Sequence, residues 1–241
     1  MKTAFLVPAV AAAVWASPAT SETLKRVPPA LNPAKAYVLV EYKLQTNPFA
    51  GFPGSRKTIP LQAGLVFARY DPKLADVRGM GKAQANPVPT GQLAVESFRN
   101  KPVGKGEDSR LFLLELEPDT WVVEGFGDTS FSLGSYSFAL TPGAVVDLGV
   151  VSVQKDWAEG QEPPSVGSIF AAALAGPFAK GPDIAPFRAT FRPRGSGDMA
   201  PPAGLPVERV HHVSFTPGAT FGNYLGGLVN RIEGVNASGP R

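Results

Sequence analysis

Residues 110–153 constrain the fold more than any other stretch of the chain. Phe112, Leu114 and Leu116 alternate with Leu113, Glu115 and Glu117. That period of two sends successive side chains to opposite faces of a strand. Glu117-Pro118-Asp119-Thr120 follows as a turn, with proline fixing φ at its second position. Trp121-Val122-Val123-Glu124 then reads as the return strand. Phe131 and Leu133 lie on odd positions, whereas Tyr136, Phe138 and Leu140 lie on even ones. A two-residue hairpin loop at Gly134-Ser135 produces this flip, with glycine first as type II′ loops prefer. A bulge at Gly134 produces it as well. Beyond Thr141-Pro142-Gly143, Val145 to Val153 is almost continuously apolar, as a strand buried on both faces requires.

Weaker segments of the same kind flank this block. In Tyr37 to Leu44, Val38, Val40, Tyr42 and Leu44 share one face and Glu41 and Lys43 the other, the pattern of a half-buried strand. Leu61 to Tyr70, Gln92 to Phe98, Phe187 to Phe191 and Val207 to Phe215 read as further strands. Gly (26) and Pro (25) exceed a fifth of the 241 residues while hydrophobic content stays at 44%, so the chain is turn-rich rather than disordered. Helical spacing is confined to two places. One is Val166, Ile169, Phe170, Ala173 and Leu174, capped by Ser165. The other is Phe221, Tyr224, Leu225, Leu228 and Ile232, where Gly222, Gly226 and Gly227 each cost about 1 kcal/mol against alanine. The expected fold is all-β: an antiparallel β-sandwich with short peripheral helices. Residues 20–35 form an extended leader and 36–160 the sandwich core. Residues 161–206 form a Pro/Gly-rich segment with a short helix, and 207–241 a C-terminal strand and tail packing on the core.

The first nineteen residues read as a secretory signal peptide. Lys2 precedes an apolar run from Ala4 to Ala16, and Ser17-Pro18-Ala19 supplies small residues for cleavage. The run is shorter than the ~20 apolar residues a membrane span needs, so no integral span remains once the signal is removed. Cleavage is expected after Ala19, with Ser17 at −3; Ala16, with Val14 at −3, also satisfies the small-residue rule. The expected location is periplasmic or secreted. There is no cysteine, which excludes disulfides, thiolate metal sites and a lipid anchor on an N-terminal cysteine.

With 23 Lys+Arg against 20 Asp+Glu the net charge is +3, and loss of Lys2 leaves a field too weak for nucleic acid, which needs a concentrated basic face. Gly79-Met80-Gly81 and Gly104-Lys105-Gly106 precede no apolar helix and do not form a phosphate cradle. No cofactor is expected.

The run Leu114–Glu124, followed by Ser137-Phe138-Ala139-Leu140-Thr141-Pro142-Gly143-Ala144-Val145-Val146-Asp147-Leu148-Gly149-Val150, resembles a block of exported bacterial β-sandwich modules. Carboxypeptidase-regulatory-like (transthyretin-like) modules and uncharacterised periplasmic families carry it. The resemblance covers about 40 residues. Asp119 stands where the usual glycine follows the turn proline. The resemblance implies a β-sandwich outside the cytoplasm, of a kind that is mostly non-catalytic.

Candidate chemistry is sparse. His211 and His212 are the only histidines, and on a strand adjacent side chains point apart, so they cannot easily hold one metal. Either could serve an envelope hydrolase only with a serine or carboxylate in reach. Glu115 and Glu117 share one strand face at a spacing of about 7 Å, which a glycosidase pair would use and an ordinary exposed face also gives. No Gly-x-Ser-x-Gly elbow is present. Arg188, Arg192 and Arg194 fall on one face beside Phe187 and Phe191, a combination suited to an acidic glycan or lipid headgroup. Trp121 and Phe126, with the loops at 48–54 and 71–109, form a second expected binding face. A carbohydrate-binding module would instead need exposed, coplanar aromatics from among Trp121, Tyr136, Trp157 and Tyr224. The leading expectation is a non-enzymatic exported protein that binds a partner protein or glycan of the envelope.

Overall fold

The computed structural model describes residues 22–47, 51, 53–58, 64–89, 95–97, 102–126, 129–161, 167, 174, 185–222 and 231–235. The strands, in chain order, are β1 (Glu22–Leu24), β2 (Ala36–Lys43), β3 (Leu65–Asp71), β4 (Asp76–Val77), β5 (Val95–Ser97), β6 (Gly104–Lys105), β7 (Ser109–Leu116) and β8 (Thr120–Phe126). They continue as β9 (Thr129–Ser130), β10 (Ser135–Ala139), β11 (Val145–Lys155), β12 (Phe187–Arg192), β13 (Val210–His212), β14 (Thr216–Ala219) and β15 (Arg231–Ile232). Helical structure among the described residues is limited to 3-10 turns at Gly81–Ala83 and Val207–Arg209 and to Gly167 and Leu174. The rest of the expected helix at 165–174, and most of that at 221–232, lies outside the described residues. Arg231–Ile232, at the end of the latter, is a strand.

The chain is all-β and its strands form two sheets. The first runs β1-β7-β2-β11-β12-β15, with β6 continuing the β1 edge along β7 and β13 pairing with β11. The second runs β14-β10-β8-β3-β4, with β5 on β3 and β9 on β8. The first sheet is mixed rather than antiparallel: β11 runs parallel to β2 and β13, and β12 parallel to β15. Parallel neighbours need long connections. About a hundred residues separate β2 from β11, and most of the second sheet is built within them.

One core joins the sheets. Val38, Val40, Tyr42, Phe112, Leu114, Leu116, Val151 and Val153 from the first pack with Leu65, Phe67, Trp121, Val123, Phe126 and Phe138 from the second. The expected return strand from the Glu117–Thr120 turn therefore does not return. β7 pairs with β2, whereas β8 pairs with β3 and β10, so the turn is a corner that carries the chain to the other sheet. Pro118 fixes the bend, the Trp121 indole donates to the Glu117 carbonyl at 3.0 Å, and Lys35 pairs with the Glu117 carboxylate. Phe112 and Trp121 thus reach the same core from opposite sides.

The parity flip at 131–136 is a bulge rather than a hairpin. β9 and β10 both pair antiparallel with β8, and residues 131–134 loop out between them. Gly134 N–H donates to the Phe131 carbonyl, the Ser135 hydroxyl donates to the Val123 carbonyl, and Phe131 swings fully into the core. Of the expected strand at 207–215 only Val210–His212 is strand; Val207–Arg209 is a 3-10 turn, and β14 begins beyond its end at Thr216. β13 joins the first sheet and β14 the second, with Val213, Ser214 and Phe215 crossing between them.

The expectation of a half-buried β2 is also corrected. Tyr37 and Leu39, on its other face, form a second small core with Leu111, Leu113, Val145 and Leu205. Leu24, Val27 and Leu31 of the leader and Met199 close over it. Burial on both faces explains why Glu41 on this strand is fully enclosed.

Candidate functional site

The corner of the first sheet where β12 and β13 meet end to end along β11 is shaped by one residue. Gly149 has φ of +82°, and a side chain there would run into the Arg192 carbonyl, so only glycine fits. The resulting bulge between Asp147 and Val150 falls between the stretches of β11 that pair with β13 and with β12. It opens a pocket of about 80 Å³ lined by Asp147, Leu148, Gly149, Phe191, Arg192, Pro193, His212, Val213 and Phe215. Three half-buried aromatics gather at this corner. Tyr136 of β10 stacks on Phe215 at 4.6 Å, and Phe191 of β12 meets Tyr136 edge-on at 5.7 Å and Phe215 at 5.4 Å. The trio bridges the two sheets and presents ring surface where the seam between them opens.

Polar groups around the pocket are unequal in what they have to offer. Both Asp147 oxygens are occupied: Oδ2 accepts from Arg194 Nε at 2.8 Å, and Oδ1 accepts from Arg194 Nη2 at 3.1 Å and Gly149 N–H at 2.8 Å. Arg192 donates from both terminal nitrogens to Asp198, each at 2.6 Å. Those bonds and the Gly195 amide hold the Asp198 carboxyl far below the usual carboxylate range. His212 is exposed, lines the pocket and makes no hydrogen bond among the described residues. His211, the preceding residue, is exposed as well.

The residues singled out from sequence lie in different places. Trp121 is completely buried and Phe126 nearly so, stacked on Tyr42. Neither forms a binding face: alternation on β8 carries Trp121 and Val123 into the shared core, and the register shift between Val123 and Gly125 brings Phe126 to the same side. Arg188, Arg192 and Arg194 do not form one solvated face either. Arg188 and Arg192 lie on β12. Arg194, beyond the strand's end, turns under the 193–205 loop to bind Asp147 and Glu41, the latter at 2.6 Å. Glu115 accepts from the Tyr37 hydroxyl at 2.7 Å and Glu117 pairs with Lys35, so the two carboxylates do not converge on a common space. Tyr37 in turn is pushed up to about 12, by burial first and by its bond to Glu115 second. Tyr136 belongs to the aromatic trio, Trp157 is half-buried, and Tyr224 lies outside the described residues. Phe215 and His212 as pocket residues were not legible locally. The only available signal was the Leu-Gly at 148–149 within the strand, a glycine where a strand is otherwise weakened.

Among the described residues no group of three metal-ligating side chains converges, and no helix is long and apolar enough to cross a membrane. Comparison with family models, with curated proteins and with solved structures returns no match to this chain.

Proposed function

We propose that this is an exported, non-enzymatic binding protein, a β-sandwich whose two sheets hold a recognition corner for an extended component of the cell envelope. The observation that carries the reading is the half-buried trio Tyr136, Phe191 and Phe215 beside the pocket at Gly149. Aromatic rings shared between two sheets offer rigid apolar surface at little entropic cost, the property of recognition surfaces. The pocket's 80 Å³ is far below the ~300 Å³ at which small-molecule sites begin. It suits one projecting group of a longer ligand, a sugar ring edge or a peptide side chain, and His212 stands ready as its polar contact. The signal-like residues 1–19 and the resemblance to exported modules support the compartment. The hydrolase reading has less to rest on, since the carboxylate next to His212, Asp147, is spent on Arg194 and Gly149.

A photoreactive residue placed at 215 in cells of the protein's own source tests this. It should capture one reproducible envelope component that a probe at exposed Lys105 does not. Identical capture from both positions would refute the recognition corner.

A further inference from the structure

At the far edge of the first sheet, Arg188 and Arg231 are register partners on the parallel strands β12 and β15, and Gln154 is the partner of Arg188 on β11. All three project to one face, in a row with about 4.8 Å between strands. Like charges set directly opposite destabilise a sheet unless an anion lies between them. Two carboxylates lie near the row: Glu233, two residues beyond Arg231 and favourable to its charge, and Asp156, which Arg231 binds through Nε and through Nη2 at 2.7 Å to Oδ1. Arg188 Nε lies 3.9 Å from the same Oδ1, beyond hydrogen-bond distance, and is buried with no hydrogen-bond partner among the described residues. Its side chain is one-third exposed. A buried, unpaired guanidinium N–H is costly, and a planar fork matches an oxyanion.

We propose that Arg188 and Arg231 together bind a phosphate group, with Gln154 as a neutral hydrogen-bonding neighbour and Asp156 as the internal anion that orients Arg231. Both carboxylates act on Arg231, and a phosphate supplies the acceptor oxygens that Arg188 lacks. This site is separate from the corner at Gly149 and stands without it.

The test titrates the exported chain with inorganic phosphate by calorimetry and, in a second arm, with phosphatidylglycerol vesicles by flotation. Saturable binding is expected in at least one arm. Binding to free phosphate alone assigns a soluble source, and binding to vesicles alone assigns a lipid headgroup. Arg188→Gln should weaken it at least tenfold while melting as the wild type does, because Arg188 makes no hydrogen bond to lose. Asp156→Asn, which removes the competing anion, should tighten it, an effect of opposite sign from simple damage. Absence of saturable binding in both arms, or unchanged binding in Arg188→Gln, would overturn the site.

Discussion

Arg194 grips Asp147 with two parallel hydrogen bonds, Nε to Oδ2 at 2.8 Å and Nη2 to Oδ1 at 3.1 Å, although 47 residues separate them. The same guanidinium reaches Glu41 on β2, so two central strands are tied to the 193–205 loop by one side chain. The Met199 amide donates to Glu41 and the Met199 carbonyl accepts from Arg194, which sews the loop down from both ends. Glu41 and Asp147 are nearly inaccessible and Arg194 almost so.

Arg194→Met should therefore be among the most damaging single changes in the chain. Removing one partner of a buried pair leaves its carboxylates uncompensated, at about 3–5 kcal/mol. Denaturant unfolding of Arg194→Met, Asp147→Asn and the double variant checks it. Strong non-additivity is expected, and additive losses would show that the two residues do not act as a unit.

Gly149→Ala should cost more than about 2 kcal/mol, because alanine is strained at positive φ and its methyl group meets the Arg192 carbonyl. The same variant should reshape the pocket. A thermal midpoint unchanged from wild type would contradict the described bulge.

Acid should weaken the protein through Asp76. Burial alone would raise this carboxyl, but the amides of Gly222, Lys82 and Val77 outweigh it and hold the pKa below its ordinary value. A depressed folded pKa gives stability that is present above the unfolded value of about 3.9 and is lost as pH falls through the folded one. Unfolding curves between about pH 6 and pH 2 should show Asp76→Asn less stable than wild type at the upper end and converging with it at the lower. Parallel curves would rule the linkage out.

Glu124 carries the opposite sign. Burial raises its pKa, so its contribution is complete below the unfolded value of about 4.3 and is lost as pH rises through the folded value. Glu124→Gln should match the wild type in acid and exceed it at neutral pH. A variant less stable at neutral pH would mean that the carboxylate is satisfied there.

The strands themselves were legible because burial imposes alternation, and Val38, Val40 and Tyr42 or Phe112, Leu114 and Leu116 leave that mark in any window. Pairing was not. Pro118 bends the chain equally well into a hairpin or a corner, and only the shared core of Phe112 and Trp121 decides for the corner. Arg194 looks in sequence like one more cation of a surface row, since nothing near it announces Glu41 or Asp147. The aromatic corner was hidden for the same reason. Tyr136, Phe191 and Phe215 come from three distant segments and become neighbours only because Val213 to Phe215 cross from one sheet to the other. Glycine at 149 was visible, but its positive φ was not.

Hydrogen exchange of the chain from residue 20 onward, measured with and without an envelope extract of its source cells, tests the proposed recognition corner most directly. The amides of Leu148, Gly149, Arg192 and His212 to Phe215 should gain protection while those around Lys105 stay unchanged. Protection spread elsewhere, or none at these amides, would contradict the assignment of this corner as the binding site.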